Sequence, residues 1–347
     1  MGDRINLCGL GRAGFEELMV ELDEKPFRGR QLYKWIYKNR VFDFGAMSDL
    51  RRELRVRLEQ MAYIGLPRIA DQQESCDGTR KFLLELDDGN VVESVLIEDD
   101  SSGRMTLCLS SQSGCPLGCV FCATGFFGYR RNLSVGEIVA QPLLVRSLYG
   151  DEAFDNVVFM GMGEPLLNYD NVMAAIEIMT DSLGLMLGAR KITISTAGVI
   201  PGIRRLTQSG SKANLALSLN AANDDLRRRL MPVARQFPLE GVMAAVREWT
   251  AVRKRRVTFE YIIFKGINDS EADALALAQL VRGIPCKINL LAYNPVGGAG
   301  FRRPNDDEVD RFAKILYPRT QAVTVRKSRG QDIDAACGQL AGRKKQR

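Results

Sequence analysis

The pattern of apolar residues divides the chain into a helical first part and a longer part of alternating strands and helices. In the first part, Leu32, Trp35 and Ile36 recur at the spacing of one helix face. Ser48 follows as an N-cap candidate for a second helix. We therefore predict a small helical N-terminal accessory domain over residues 1–70.

Two short apolar runs after this domain are typical of a β-hairpin. The runs KFLLEL and VVESVLI are separated by Asp87-Asp88-Gly89-Asn90, which is a strong turn signal. Residues 71–103 are therefore predicted to form a β-hairpin extension.

The third part, residues 104–325, alternates apolar strand runs with helical stretches. Strands are predicted at 105–110, 155–161, 191–197, 214–220, 257–264 and 286–293, with helices between them, for example at 134–149, 168–183 and 239–252. Strands joined by helical crossovers imply a parallel sheet covered by helices. A partial (β/α) barrel and a doubly wound sheet both fit, and in either fold the chemistry lies at the carboxyl ends of the strands. A further strand is predicted at 322–328.

Charge indicates a class of partner. The net charge is +6, and residues 326–347 contain seven basic and two acidic residues. Further basic runs are RRR at 227–229 and RKRR at 253–256. Clustered Lys and Arg suit a polyanion such as nucleic acid, although a plain solvated surface has the same composition. The chain contains no histidine, which excludes imidazole as a metal ligand or general base.

The sequence has no sign of membrane insertion or secretion. Its start, MGDRINLCGLGRAGF, lacks the apolar core of a signal peptide, and no run approaches the roughly 18 apolar residues that span a bilayer. We expect a cytoplasmic location and no membrane partner.

Three of the eight cysteines form a compact motif after the first predicted core strand. Cys115, Cys119 and Cys122 are spaced C-x3-C-x2-C. Thiolates are soft ligands that suit iron–sulfur clusters, and three of them leave one iron of a [4Fe–4S] cluster open to another ligand. Zinc is the alternative, but zinc sites usually use paired Cys-x2-Cys motifs or Cys–His sets.

This spacing, with Phe121 between two of the cysteines, resembles the signature of the radical-SAM superfamily. The resemblance implies a partial (β/α)6 radical-SAM barrel over 104–325. It also implies that the open iron binds the amino and carboxylate groups of S-adenosylmethionine (SAM), which one electron then cleaves to a 5′-deoxyadenosyl radical. An electron donor such as flavodoxin or ferredoxin is an expected partner.

Small polar residues at the predicted strand ends are candidate SAM-binding residues. Gly163 and Glu164, in GMGEP, resemble the superfamily motif for the SAM amino group. Glycine lets the backbone approach a ligand, and a carboxylate accepts hydrogen bonds from an amine. The other candidates at strand ends are Ser195, Ser218, Leu219, Asn220 and Asn294. Any one of them suits a turn or cap equally well, but their shared position favours a site.

Longer segments resemble the RlmN/Cfr family of radical-SAM RNA adenine methyltransferases. They are KPFRGRQLYKWIY, CATGFFGYRRNL, GMGEPLLN, STAGVIP, NPVGG and VRKSRGQDIDAACGQLAG, and they span nearly the whole chain. The resemblance is closest to the RlmN branch, which implies methylation of C2 of an adenine in the peptidyl-transferase centre of 23S rRNA and of the adenine beside the tRNA anticodon. The Cfr branch implies C8 of the same rRNA adenine. A non-catalytic iron–sulfur RNA-binding protein is a third hypothesis.

The resemblance further implies a reaction that consumes two SAM molecules per turnover. Cys337, in the basic C-terminal segment 326–347, would accept a methyl group and become S-methylcysteine. The radical would remove a hydrogen atom from that methyl group, whose carbon would then bond C2. Glu93 would remove the C2 proton, and Cys108 would form a transient disulfide with Cys337 that frees the product.

Three of these residues have plainer interpretations on sequence alone. Glu93 is a charged residue on a hairpin strand, and such residues usually face solvent. Cys108 and Cys337 would be ordinary buried cysteines. The RlmN branch commonly has His at the position of Asn220, whose amide can still donate and accept hydrogen bonds.

Overall fold

The computed structural model describes residues 4–99 and 103–342. Its N-terminal part contains the helices α1 (Arg12–Glu21), α2 (Pro26–Tyr37) and α3 (Arg52–Met61), and a small parallel sheet of β1 (Ile5–Asn6) and β2 (Ala62–Tyr63). The predicted helix around Trp35 is confirmed as α2. Helix α1 was not predicted, although Phe15, Leu18 and Met19 are buried at helical spacing.

The start of α3 differs from the prediction, because Ser48 does not cap this helix. The N-cap is Arg51, whose side chain makes no capping hydrogen bond. Met47 and Leu50 flank Ser48 and are both buried, so the chain turns here to place two apolar side chains inward. Burying them stabilises the fold by about 1.5–3 kcal/mol each, more than the roughly 1 kcal/mol of a good cap.

The predicted hairpin is part of a larger antiparallel unit. The unit contains β3 (Arg68–Glu74), β4 (Arg80–Glu85) and β5 (Val91–Glu98). Strand β3 was not predicted, and it starts before the expected boundary at residue 71. Its sequence, RIADQQE, is polar because β3 is the exposed edge strand of the sheet.

The remaining strands form the barrel wall and a small hairpin at its mouth. They are β6 (Met105–Cys108), β7 (Gln112–Gly114), β8 (Tyr129–Asn132), β9 (Asn156–Phe159), β10 (Ile192–Thr196), β11 (Asn214–Ser218), β12 (Val257–Ile263), β13 (Cys286–Ala292) and β14 (Val323–Arg326). Strands β7 and β8 pair with each other. In the described part of the chain, the other strands form one sheet in the order β14-β13-β12-β11-β10-β9-β6-β5-β4-β3.

Strands β6 and β9–β14 are mutually parallel, and helices cover their outer face. These helices are α5 (Val135–Tyr149), α6 (Tyr169–Thr180), α7 (Ile200–Gln208), α9 (Leu239–Arg253), α10 (Glu271–Leu280) and α11 (Asp306–Leu316). Two shorter helices lie at the strand ends instead: α4 (Ala123–Phe127) beside β7, and α8 (Asp224–Leu230) beside the turns after β10 and β11. This architecture confirms the partial (β/α)6 barrel, with β14 added at one edge. The carboxyl ends of the parallel strands open on one side, which is called the barrel mouth below.

The antiparallel unit does not project from the barrel, because β5 pairs with β6 through the register Val95↔Cys108. Its central strands are buried over most of their length, which explains their nearly continuous apolar sequence. In the described part of the chain, no helix combines the length and the apolar character that crossing a bilayer requires.

Candidate active site at the barrel mouth

A cavity of about 170 Å³ lies at the barrel mouth. The predicted site residues that line it are Cys115, Cys119, Cys122, Gly163, Glu164, Ser195, Ser218, Asn220 and Cys337. They come from the cysteine loop, from the last residues of the parallel strands and the turns that follow, and from the C-terminal end of the chain. Residues far apart in the sequence are thus brought to one space.

The cysteine loop connects the hairpin strand β7 to helix α4. Gly114 precedes the first cysteine with φ +76°, and a Cβ there would lie 1.6 Å from the carbonyl oxygen of Gly128. Only glycine fits this crossing of the chain. The turn continues with a hydrogen bond of 3.1 Å from the N–H of Cys122 to the carbonyl of Cys119. The backbone thereby turns the three thiols toward one side of the cavity.

The loop fits an iron–sulfur cluster. Burial raises the pKa of the Cys115 thiol to about 12 and that of Cys119 well above its usual value. Bare thiolates would be unstable there, whereas a bound metal replaces the proton and its positive charge compensates. Within residues 4–99 and 103–342, no three His, Cys, Asp or Glu side chains converge closely enough to hold one metal ion. The donors that the loop does offer are three soft thiolates, which suit the irons of a cluster.

Glu164 is held rigidly at the end of the second barrel strand. Its Oε2 accepts the N–H of Ala197 at 2.8 Å and its Oε1 accepts the N–H of Leu166 at 3.1 Å. Burial raises the pKa of Glu164 to about 7. A carboxylate in this apolar setting is a strong site for a cationic amine, because the amine would offset the cost of burying the charge. Gly163, with φ +100°, packs against Gln112 too closely for any Cβ.

Asn220 has the backbone conformation that explains why the position accepts a short polar residue. Its φ is +56°, and Asn and His are among the residues that tolerate this left-handed region best. Its Oδ1 accepts the N–H of Ile262 at 3.0 Å, and its Nδ2 contacts the sulfur of Met231. Asn220 therefore supports the cavity wall as well as lining it.

Two predicted cofactor residues lie beside the cavity rather than on its surface. The side chain of Leu219 is fully buried in the core, and its carbonyl accepts the Nε–H of Arg227 at 3.3 Å. Asn294 donates from Nδ2 to the carbonyl of Cys337 at 3.2 Å and accepts from Arg303 at 2.7 Å. In this arrangement, Leu219 is part of the packing and Asn294 holds the C-terminal segment.

Two charged residues at or beside the cavity were not predicted as site residues. Arg227 is fully buried, donates to the carbonyl of Ala197 at 2.5 Å and lowers the pKa of Cys119 against the larger effect of burial. Its Nη1 has no hydrogen-bond partner within the described residues. Glu260 lines the cavity, and burial raises its pKa. A single charge inside the apolar run VTFEYII was the available signal for Glu260.

The basic runs are also more structural than predicted. Arg227 belongs to RRR and faces the core, while Arg228 pairs with Asp225 at 3.1 Å. In RKRR, Arg253 and Arg255 donate to backbone carbonyls before β11. These guanidinium groups hold loops together, so much of the predicted basic surface is already engaged within the protein.

The name C-terminal segment is used below for residues 329–342, the last residues that the structure describes. Its contacts at the barrel mouth include Gly330 N–H to Asp77 (2.8 Å), Ser75 Oγ to Asp332 (2.6 Å), Ala123 N–H to the carbonyl of Gly338 (2.7 Å) and Thr124 Oγ1 to the carbonyl of Leu340 (2.6 Å). Cys337 is thus placed at the site, where its residue is exposed and lines the cavity. Desolvation by the protein around the cavity raises the pKa of its thiol. Residues 343–347 of the predicted basic tail lie outside the described residues.

Cys108 and Glu93 share the inner face of the sheet. Cys108 pairs with Val95, and Glu93 is two residues from Val95 on β5, so both side chains point to the same side. Burial raises the pKa of the Cys108 thiol, and the charge of Cys337 adds to this rise. The expectation of a solvent-facing Glu93 was wrong, because only 2% of its side chain is exposed.

Comparison with known proteins agrees with this site. Residues 5–64 match the ribosomal RNA large subunit methyltransferase N-terminal domain, and residues 109–278 match the radical SAM superfamily. A crystal structure of a radical SAM methyltransferase from Sphaerobacter thermophilus is 41% identical, with a TM-score of 0.93 over 98% of this chain and 100% of that one. The barrel and its cysteine loop therefore belong to a radical-SAM methyltransferase, and the superfamily implies SAM and a [4Fe–4S] cluster as cofactors.

Two curated relatives define the family more narrowly. The dual-specificity RNA methyltransferase RlmN of Halorhodospira halophila is 46% identical over 97% of this chain and 94% of its own length. The protein of the same name from Rhodospirillum rubrum is 47% identical over 97% of this chain and 80% of its own. This chain belongs to the RlmN family of radical-SAM RNA methyltransferases. It is therefore an enzyme, and the non-catalytic hypothesis is wrong.

Proposed function

We propose that this enzyme methylates C2 of adenine 2503 in 23S rRNA and C2 of the adenine beside the tRNA anticodon, through S-methylcysteine at Cys337. The names of the relatives, dual-specificity RNA methyltransferases, support two RNA substrates. The observation that carries the mechanism is Cys337, which faces the cavity that the cysteine loop and Glu164 also line. A methyl acceptor and a SAM site in one space are what two successive uses of SAM require.

The cofactors would be held by the cavity wall. Cys115, Cys119 and Cys122 would bind three irons of the cluster. The proposed SAM-binding residues on the wall are Gly163, Glu164, Ser195, Ser218 and Asn220, with Leu219 and Asn294 in support beside the cavity. When bound, these cofactors supply the methyl group and, after one-electron cleavage of SAM, the radical. Each cleavage needs an electron, so a flavodoxin or ferredoxin is the proposed partner.

The protein residues would act in a fixed order. The thiolate of Cys337 takes a methyl group as the sulfonium C–S bond of SAM breaks. That methyl group would lose a hydrogen atom to the SAM-derived radical, and its carbon then bonds C2 of the adenine and joins the RNA to Cys337. The unpaired electron of this adduct would return to the bound cofactor, and Glu93 removes the C2 proton. Cys108 then attacks the sulfur of Cys337, so that an S–S bond forms, the S–C bond breaks and the released carbon takes up a proton to become the methyl group. A thiol reductant later resets the disulfide.

The target adenine would have to leave its stack to reach this buried site, at a cost of a few kcal/mol. This unstacking cost is smallest for unpaired nucleotides in loops, which agrees with substrates in an rRNA loop and an anticodon loop. Contacts of the protein with RNA phosphates would supply the compensating free energy.

The test is reconstitution of the cluster, followed by reaction with reductant, labelled SAM and unmodified 23S rRNA or tRNA. We expect 2-methyladenosine with the wild type and with Cys286→Ala, a cysteine at the opposite end of a barrel strand, and none with Cys337→Ala. The product is identified by mass spectrometry of digested nucleosides. Formation of 8-methyladenosine would show that the Cfr-type regiochemistry is correct instead. Product from Cys337→Ala would overturn the S-methylcysteine route.

A further inference from the structure

The inner face of the antiparallel unit carries a buried ion pair that the roles above do not use. Lys81 Nζ lies 3.4 Å from Glu93 Oε1, and their side chains are 8% and 2% exposed. The strand register explains the contact: Lys81 pairs with Val95 and Leu83 pairs with Glu93, so both charged side chains point into the barrel. This is also the face of Cys108.

The two oxygens of Glu93 have different partners. Oε1 faces Lys81, whereas Oε2 accepts the N–H groups of Ala341 and Gly342 at 2.8 and 3.1 Å. The first partner extends from β4, whose backbone pairs with β3 on one side and with β5 on the other. The second partner belongs to the C-terminal segment, which no strand ladder holds.

Lys81 also contacts the segment that carries Cys337. Its Nζ donates to the carbonyl of Asp334 at 3.3 Å. If this were its only contact, Lys81 would serve only to hold the C-terminal segment in place. The ion pair with Glu93 Oε1 is about as close, at 3.4 Å, and it joins two side chains that are both almost completely buried, which indicates a second task.

We propose that Lys81 is a positioning residue that fixes Oε1 of Glu93 and thereby leaves Oε2 to accept the C2 proton. The proposal rests on the proposed function, in which Glu93 is the base. In this step the C2–H bond breaks, the proton moves to Oε2 and the electron pair stays on the purine ring. Lys81 keeps its own proton, and neither an oxidant nor a reductant is involved.

One consequence is that Oε2 of Glu93 has two successive partners. It first accepts hydrogen bonds from the C-terminal segment and later accepts the C2 proton. With Ala341 and Gly342 in place, Oε2 is occupied while Cys337 faces the SAM cavity, which suits methylation of Cys337. Proton removal requires this pair of N–H groups to move away. Lys81 holds the carboxylate in position through the exchange.

The experiment uses full-length enzyme, loaded with cluster and methylated at Cys337, in a single turnover with unmodified RNA. The variants are K81M, K81R, E93Q, the double variant K81M/E93Q and R80M. Arg80 is the matched control, since it neighbours Lys81 on β4 but pairs with Glu74 on the outer side. Covalent protein–RNA adduct is measured on denaturing gels, methylated nucleoside by mass spectrometry, and Cys337 methylation by peptide mass.

We expect K81M to methylate Cys337 within about twofold of the wild type but to release product about 10- to 100-fold more slowly, with adduct accumulating, because a misplaced base loses this much rate. K81R should restore part of the rate, and R80M should match the wild type. Adding K81M to E93Q should change nothing further, because Lys81 acts through Glu93.

Two results would overturn the proposal, and a third would overturn the base assignment. If K81M slows Cys337 methylation and accumulates no adduct, Lys81 serves only the segment. If the K81M and E93Q effects multiply in the double variant, Lys81 acts independently of Glu93. If E93Q releases product at the wild-type rate, Glu93 is not the base and the proposed function fails at that step, whatever K81M does.

Discussion

The strand ends and the C-terminal segment line the same cavity but are held in different ways. The side-chain oxygens of Glu164 and Asn220 accept backbone N–H groups of Ala197, just after β10, and of Ile262 in β12. The C-terminal segment has a single 3-10 turn, Gln331–Ile333, and is attached mainly by side-chain and loop contacts such as Asp77 to Gly330. The strand ends, called the rigid wall below, are part of the core. The C-terminal segment, called the movable wall below, packs on that core.

This difference matches two kinds of work. A cofactor site gains from rigid, preorganised groups that do not rearrange when the ligand binds. A carrier that first meets SAM and then RNA must move, and movable elements come from the less stable part of a structure. The predictions below test whether damage to one wall spares the other.

The largest effect is expected from Gly114→Ala, which damages the rigid wall. The new Cβ would overlap the carbonyl of Gly128 and would require a left-handed backbone. We expect loss of most cluster iron, measured per chain after reconstitution. Gly118→Ala is the control, because φ is also positive there but nothing lies within 4 Å of the new Cβ. Equal iron loss in both variants would mean that backbone strain, not the crossing, decides.

A smaller effect, on the affinity for SAM, is expected when Glu164 is protonated or replaced. Its pKa of about 7 is raised, so the carboxylate is protonated as pH falls through 7 and can no longer pair with an amine. SAM affinity of the wild type, measured by equilibrium dialysis with cluster-loaded enzyme, should fall about tenfold per pH unit below 7. Glu164→Gln should bind about 10- to 100-fold more weakly at pH 8 and without this pH dependence. A pH-independent wild type would contradict the role of Glu164.

The smallest effect is expected from Asp77→Asn, which damages the movable wall. Replacing one carboxylate oxygen by an NH2 group removes the acceptor of the Gly330 N–H. Hydrogen exchange in residues 330–342 should rise a few-fold, and Cys337 methylation should slow by a similar factor, because the lost bond is worth about 1 kcal/mol. Cluster content and SAM affinity should match those of Asp151→Asn, a surface control. A drop in cluster content would show that the two walls are coupled.

Local sequence patterns predicted the barrel and the cysteine loop well. The apolar runs around Val257 and Ile288 and the C-x3-C-x2-C spacing depend on neighbouring residues, and such signals are visible in a single sequence. The alternation of strands and helices could not choose between an open sheet and a barrel. That choice came from the resemblance carried by the cysteines.

Long-range contacts explain what the sequence could not predict. Glu93 looked like a solvent-facing charge, because its partners Lys81 and Ala341 are remote or unremarkable in the sequence. The same holds for Arg227, whose neighbours in RRR suggest a surface run although it is buried. Whether a charge is buried depends on what the fold places opposite it, and no local pattern records that.

The pairing of β5 with β6 fixes the spacing between Glu93 and Cys108. Glu93 and Cys108 lie on adjacent strands with a fixed offset, set by the register Val95↔Cys108. Hydrogen-bonded neighbours in a sheet keep their spacing while loops around them shift. In the proposed reaction, a nucleotide aligned with one of these side chains would therefore be aligned with the other, and proton removal and disulfide formation would need only one docking event.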